Sequence, residues 1–211
     1  MARISRSAIL QDYRTRSLLE STRKIIAAHG FDAVTMDRVA EQAGIAKGGI
    51  YLYFRNKHEL IVSAIEEIAS EMLREIETRV DPKTAPWQRL CQLVSGQIEV
   101  MEQHRDLLRT LLLDRRLLLD RARGGPSRRL LKYRERHELH IRNILEEGIR
   151  RKIFHPVDPA PVAFYINEMT ISTAQRRVLG LAPSSQKAEA QGLIRFLALL
   201  LRDRHNAGPK R

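Results

Sequence analysis

The sequence has few of the features that build disulfide scaffolds, metal centres or membrane spans. Its single cysteine, Cys91, excludes an internal disulfide and a cysteine-based metal cluster, and it suits a reducing cytoplasm. The longest apolar runs, near Leu111 and at 196–201, are far shorter than the roughly 20 residues that a membrane-spanning helix needs. The basic N-terminus also lacks the apolar core of a secretory signal. We therefore expect a cytoplasmic protein that does not enter a membrane.

Basic residues outnumber acidic residues by a wide margin. The chain carries 37 Lys and Arg against 25 Asp and Glu, which gives a formal net charge of +12. A charge of this size favours polyanions such as nucleic acid, phosphorylated ligands or anionic membrane surfaces. An arginine-rich solvated surface would have the same composition, so charge alone does not separate these alternatives.

Apolar residues recur at helical spacing through most of the chain, and no hairpin pattern is visible. The stripe formed by Leu18, Leu19, Ile25 and Ile26 predicts a first helix, and Gly30 follows where a left-handed cap would end it. The sequence therefore predicts an all-α fold. The predicted long helices cover 16–29, 57–79, 87–104, 106–120, 127–153, 162–179 and 185–204.

Residues 35–57 have the pattern of a helix-turn-helix. Thr35 is typical of an N-cap, and Gly44 ends the short helix that follows it. A second short helix is predicted from Ala46 to Phe54, with Ile50 and Phe54 in the core of the module. The adjacent glycines in that helix cost roughly 1 kcal/mol each relative to alanine. They would let the backbone approach phosphates or base edges closely.

Residues 30–60 resemble the DNA-binding motif of the TetR family of bacterial transcriptional repressors. The family pattern has a threonine that opens the second helix, then Val-Ala-x-x-Ala-Gly, Lys-Gly, an Ile-Tyr pair, a Tyr-Phe pair and Lys-x-x-Leu. The matching positions are Thr35, Val39-Ala40, Ala43-Gly44, Lys47-Gly48, Ile50-Tyr51, Tyr53-Phe54 and Lys57 with Leu60. One departure is Ala46, where the family often has serine, so a hydroxyl that could contact phosphate is missing.

The resemblance implies which residues contact double-stranded operator DNA. The positions that match family contacts are Thr35, Lys47, Gly48, Tyr51, Tyr53 and Lys57. Ala46 is included in the predicted contact set although its residue departs from the family pattern. Lys47 can reach a phosphate or a guanine edge, and Leu52 can meet a thymine methyl group. Packing alone is the alternative for Tyr51.

The resemblance also implies two domains and a homodimer. We expect a helix-turn-helix domain over 1–58 and a helical ligand-binding and dimerisation domain over 59–211. Family members pair through their last two helices, which correspond here to 162–179 and 185–204; burial within one subunit is the alternative. The implied function is binding of a palindromic operator as a dimer, with release by a small-molecule inducer. No cofactor and no metal are expected.

Candidate ligand contacts are scattered through the second domain. They are Met72, Met101, His137, Phe164 and Met169. Scattered Met and aromatic residues are often core instead, and His137 with His140 lacks the further ligands that a metal site needs. Between 115 and 136 there are nine Lys or Arg and two acids. This run is either a solvated face or a basic entrance that favours an apolar inducer with an anionic group.

Two other functions compete with a repressor. A non-specific, charge-driven nucleic-acid binder would not need the ordered motif at 43–57. An enzyme would need a reactive constellation, and the sequence has no Gly-rich phosphate loop after a strand, no metal cluster and no nucleophile elbow. We therefore expect a protein that is not an enzyme.

Overall fold

The computed structural model describes residues 6–113 and 128–202. Within these ranges all regular secondary structure is helical and no strand is present, which confirms the all-α prediction. The elements are α1 (Arg6–His29), α2 (Met36–Gln42), a 3₁₀ helix (Lys47–Leu52), α3 (Lys57–Thr78), α4 (Pro86–Gln103), α5 (Arg105–Leu113), α6 (Arg128–Arg150), α7 (Pro159–Val178) and α8 (Gln186–Leu201). The later part of the predicted helix over 106–120 lies outside the described residues. No helix in the described ranges is long and apolar enough to cross a membrane.

The described residues form two compact units. The first unit holds the chain up to Ser70 and the described part of Asp106–Leu130. The second holds Glu71–Arg105 and the chain from Leu131 onward. Helix α3 therefore begins in the first unit and ends in the second. The division into functional domains after residue 58 stays a prediction.

In the first unit, α1 packs on α2, and α2 packs on the 3₁₀ helix. The buried side chains that join them are Leu18, Ile25, Ile26, Phe31, Val34, Met36, Val39, Ala40, Ile50 and Phe54. Elements as short as α2 and the 3₁₀ helix are not stable alone in water. Burial of a side chain such as Ile50 or Phe54 contributes about 1.5–3 kcal/mol, so this shared core holds both elements in place.

Two predicted helix limits in this unit are wrong. The segment predicted as a helix from Ala46 to Phe54 is a 3₁₀ helix over Lys47–Leu52. Its hydrogen bonds join residues three apart, such as Gly49 N to Ala46 O at 2.7 Å and Tyr53 N to Ile50 O at 3.0 Å. Two adjacent glycines weaken an α-helix, and the tighter turn is common in short pieces. Helix α1 begins at Arg6, ten residues before the predicted start.

In the second unit, α4 packs against α7 and α8, and α7 packs against α8. The fully buried aliphatic side chains of this unit include Leu90, Leu93, Ile98, Ile141, Ile144 and Leu145. The starts of the last two helices are capped, because Asp158 Oδ1 accepts from Ala160 N at 3.2 Å and Ser185 Oγ accepts from Ala188 N at 3.3 Å. A Cβ at Gly148 would lie 2.0 Å from the Phe154 ring, so that ring packs directly on the α6 backbone.

Candidate functional site

The turn between α2 and the 3₁₀ helix is fixed by local contacts. Thr35 Oγ1 accepts a hydrogen bond from Arg38 N at 3.2 Å, which confirms the predicted N-cap of α2. Gly44 has φ +67°, a left-handed conformation that favours glycine, and Ile45 N then donates to Ala40 O at 2.8 Å. The 3₁₀ helix is therefore held at a defined angle to α2.

The 3₁₀ helix divides its side chains between core and solvent. Ile50 and Phe54 are buried, as predicted. Tyr51 is 57% exposed and Leu52 is 79% exposed. Large apolar side chains that lie beside one another in solvent mark a surface that contacts another molecule. Tyr51 and Leu52 are thus available for contact, whereas Tyr53 is half-buried.

Gly48 is not explained by the fold of this unit. Its φ lies outside the left-handed region. Apart from its two chain neighbours and the backbone of its own helix, no heavy atom of a described residue lies within 4 Å of the place where a Cβ would stand. At its neighbour Gly49 a Cβ would meet Ile45 Cγ2 at 3.1 Å. The chain itself would accept alanine at position 48 but has less space at position 49. A close approach by another molecule is the remaining steric reason for glycine at position 48.

Two lysines flank this surface, and each has one weak partner. Lys47 Nζ lies 3.5 Å from Asp37 Oδ2, and the Lys47 side chain is 69% exposed. Lys57, the first residue of α3, donates from Nζ to Asp32 O at 3.4 Å. Exposed ion pairs contribute only about 0–1 kcal/mol. The Lys47 ammonium group can therefore exchange its carboxylate partner for a phosphate at small cost.

Helix α1 adds a surface that the sequence patterns did not identify. Leu10, Gln11 and Arg14 line a surface cavity of about 220 Å³ together with Leu52 and Tyr53. These two residues belong to the recognition segment, residues 47–53, which consists of the 3₁₀ helix and the residue after it. Periodicity gave no signal here, because the apolar stripe of α1 starts only at Leu18. A signal that could have found it is the run of basic and apolar residues that precedes the stripe.

A buried polar network joins three helices of the second unit. His137 is 6% exposed, and its Nε2 lies 3.1 Å from Gln97 Oε1. Gln97 Nε2 donates to Asn167 Oδ1 at 3.1 Å, and Asn167 Nδ2 donates to Glu138 Oε1 at 3.4 Å. Since a carbonyl oxygen only accepts, the His137 proton is on Nε2. Nδ1 is then a free acceptor, and among the described residues it has no hydrogen-bond partner.

The same burial keeps His137 uncharged. Desolvation, with a smaller contribution from the nearby His140, lowers the pKa of His137 to about 4. Within the described residues no cluster of three or more His, Cys, Asp or Glu side chains could hold a metal ion. The His137 end of the network is therefore uncharged, whereas its other end is the Glu138 carboxylate, which pairs with Arg134 at 3.0 Å.

The five predicted ligand contacts do not surround a single described cavity. Met101 and His137 are buried, and Met72 is half-buried on α3. Phe164 is exposed, with the Arg134 guanidinium 5.6 Å from its ring centroid. Met169 lines a cavity that α7 shares with α8. Their roles stay predictions.

The basic run is partly neutralised where it is described. Arg129, Arg134 and Arg136 contact carboxylates of Glu66, Glu168 and Glu77, at 3.2, 2.6 and 2.6 Å respectively. The first part of the run, 115–127, lies outside the described residues. Much of the described run therefore forms ordinary surface ion pairs.

The last two helices keep a large apolar surface in solvent. A cavity of about 230 Å³ between them is lined by Val157, Val162, Tyr165, Ile166, Met169, Leu197, Leu200 and Leu201. Tyr165, Leu199 and Leu200 are each more than half exposed. Ile166, Val178, Leu193 and Leu197 are buried within the unit, so these helices contribute both to the core and to an apolar surface.

Two family models match the chain over its two regions. The model of bacterial regulatory proteins of the tetR family matches residues 18–64, and the model of the tetracyclin repressor-like C-terminal domain matches residues 83–175. The HTH-type transcriptional regulator YfiR of Bacillus subtilis (strain 168) is 29% identical over 198 residues, which cover 91% of this chain and 92% of that protein.

Solved structures have the same fold. A TetR transcription regulator from Haloarcula marismortui aligns with a TM-score of 0.75 at 19% identity, covering 90% of this chain and 100% of that one. The regulator FadR from Bacillus subtilis, solved in complex with stearoyl-CoA, aligns with a TM-score of 0.69 at 19% identity. That alignment covers 86% of this chain and 96% of FadR.

Proposed function

This chain belongs to the TetR family of transcriptional regulators, and from that premise we propose that it is a repressor with a palindromic operator. It binds the operator as a homodimer and leaves it when a small-molecule inducer binds. Two recognition segments about 34–36 Å apart in such a dimer read half-sites in successive major grooves.

The surface around Gly48 is the observation that carries the DNA-binding role. The open space at this glycine, the exposed Tyr51 and Leu52, and the exposed Lys47 all belong to one short element. Lys47 and Lys57 supply positive charge to phosphates, and Leu52 supplies an apolar contact to a base. Thr35, Ala46 and Tyr53 complete the proposed contact set.

Dimerisation is supported by the apolar surface of α7 and α8. Association would remove the exposed apolar surface of side chains such as Tyr165 and Leu200 from water, which is favourable. The cavity beside them can accept a side chain of a second copy. The predicted segments 162–179 and 185–204 are thus the proposed interface. Phe164 and Met169 fit this interface better than a ligand site.

The polar network supports a ligand site in the second unit. His137 Nδ1 is a buried acceptor that lacks a partner among the described residues, and burial of an unpaired polar group costs about 1–3 kcal/mol. A ligand hydroxyl or amide that donates to it would recover this cost. Met101 lies one helical turn from Gln97 on α4 and would contact the apolar part of the same ligand, with Met72 further out.

The inducer we propose is an apolar molecule that carries an anionic group. Stearoyl-CoA, in the complex with FadR, has this chemistry. The exposed cations Arg128 and Lys132 are available to phosphates, since neither has a carboxylate partner among the described residues.

Gly48→Ala tests the DNA-binding proposal. The operator is first obtained by selecting duplexes from a random pool with the wild-type protein, and an inverted repeat is expected. The added methyl group fits the free protein but clashes with DNA, so we expect operator affinity to fall at least tenfold. The melting temperature should be unchanged or slightly raised, because alanine favours helical conformations.

Two results would contradict the proposal. Equal operator affinity of Gly48→Ala and wild type would show that the recognition segment does not approach DNA. A pool that yields no preferred sequence would instead favour the charge-driven binder.

A further inference from the structure

We infer that the N-terminal half of α1 is a second DNA-contacting element, in which Arg14 and Gln11 hold the sugar-phosphate backbone next to the recognition segment. This inference rests on the proposed DNA-binding function and extends it to residues outside the helix-turn-helix. The contacted partner is the same duplex that the 3₁₀ helix meets.

The surface of α1 at Gln11 and Arg14 is continuous with the proposed DNA surface. Gln11 and Arg14 line one surface cavity with Leu52 and Tyr53. Leu52 projects almost fully into solvent from the recognition segment. DNA that meets Leu52 therefore also comes within reach of the α1 side of the cavity, where a long guanidinium side chain is available.

Two neighbouring arginines of α1, Arg14 and Arg16, differ in their carboxylate partners. Arg16 Nη2 pairs with Asp12 Oδ2 at 2.8 Å. Arg14 is exposed and has no carboxylate partner among the described residues. Residues two apart on a helix point in nearly opposite directions. The arginine that lies beside the recognition segment is thus the one whose charge remains uncompensated.

The segment that carries Gln11 and Arg14 is part of a rigid helix. Helix α1 is continuous from Arg6 to His29, and its C-terminal half is anchored in the core by Leu18, Ile25 and Ile26. Because the cavity wall is part of a packed helix, Arg14 and Gln11 are positioned before DNA arrives. Less entropy is then lost when they bind than in a loose arm.

The chemistry of the pair favours the backbone over the bases. A guanidinium donates two parallel hydrogen bonds to phosphate oxygens, and a glutamine amide donates to phosphate or sugar oxygens. Such contacts position the protein but carry no sequence information. They should therefore form on any duplex that occupies the recognition surface.

The test compares Arg14→Ala with Arg16→Ala, which removes the same charge from the same helix. Affinity is measured against salt concentration on the selected operator and on a random-sequence duplex. Each phosphate contact contributes about 0.9 to the slope of log K against log salt, so a dimer that loses two contacts should lose about 1.8. We expect this loss for Arg14→Ala on both duplexes, no loss for Arg16→Ala, and partial recovery for Arg14→Lys.

The two proposals fail in different ways. Equal slopes for Arg14→Ala and Arg16→Ala on both duplexes would overturn this inference, even if the wild-type protein selects a clear operator. Failure to select an operator would contradict the proposed function, while a slope difference on the random-sequence duplex would still support the α1 contact.

Discussion

His137 is the single residue in which burial and chemistry conflict most strongly. Its imidazole is enclosed by α4, α6 and α7 and bonded to one neutral amide, Gln97. His140 and Arg136 lie on the same helix, and the charges that most affect His140 are Glu77, Arg89 and Arg136. A proton added to His137 would place a cation in this apolar setting, so the folded protein keeps the ring neutral.

We expect acid to destabilise the protein through this residue. The folded pKa is about 4 against 6.5 for the free side chain, so between these values the unfolded chain binds more protons than the folded one. The contribution of His137 to the free energy of unfolding is complete above pH 6.5 and is lost as the pH falls toward 4. The loss is about 3 kcal/mol, because each pKa unit corresponds to about 1.36 kcal/mol. Urea unfolding of wild type and His137→Gln is measured across this pH range. The difference between their free energies of unfolding should shrink toward low pH.

The control is His29→Gln, which replaces an exposed histidine of α1. This variant measures the effect of replacing histidine by glutamine where the ring is exposed to solvent. If the stability difference of His137→Gln varied with pH no more than that of His29→Gln, the His137 imidazole would be solvated in the folded protein.

Local chemistry predicted single residues well and distant contacts poorly. Thr35 and Gly44 were predicted in their observed roles, because a cap and a left-handed turn depend on a few neighbouring residues. The contact between His137 and Gln97 was not predicted. Forty residues separate them, and only the packing of α4 against its neighbours decides which polar side chains meet.

Among the elements, the recognition segment and α1 show the limits of periodicity. The pattern located the helix-turn-helix but could not tell an α-helix from a 3₁₀ helix over six residues. It also missed the first ten residues of α1, because Ile9, Leu10 and Tyr13 are exposed and form no buried stripe. A pattern of burial cannot identify a helical segment that contributes no buried stripe to the core.

Leu200→Arg should separate dimerisation from folding. Leu200 is 52% exposed at the cavity between α7 and α8, so arginine is tolerated in the monomer but would bury a charge in the proposed interface. We expect sedimentation to show a monomer where wild type is a dimer. Operator affinity should fall at least a hundredfold, because each monomer then reads only one half-site.

Leu139→Arg is the matched control, because Leu139 is equally exposed but lies on α6. It should remain a dimer with unchanged operator affinity. If Leu200→Arg also remained dimeric at the same concentrations, α7 and α8 would not form the interface.

In the whole molecule, α3 is one of the described helices that run from one unit into the other, as α6 also does. It runs without interruption from Lys57, beside the recognition segment, to Thr78 in the second unit. A ligand that binds the second unit can change DNA affinity only if it prefers one conformation of the protein over another. We propose that the continuous helix α3 carries that preference to the first unit.

Reciprocal coupling is therefore the test of ligand-controlled repression. A typical coupling free energy is about 1–3 kcal/mol, and operator DNA must weaken ligand binding by the same factor by which ligand weakens operator binding. Titration calorimetry of the compound recovered from the purified protein by native mass spectrometry, with stearoyl-CoA as a second probe, should show weaker binding when the operator is present. A random-sequence duplex at equal concentration is the control for charge effects. Equal ligand affinity with and without operator would show that the ligand site and the DNA-binding surface are not coupled. The reciprocity is a thermodynamic requirement, so this conclusion does not depend on how the change passes through α3.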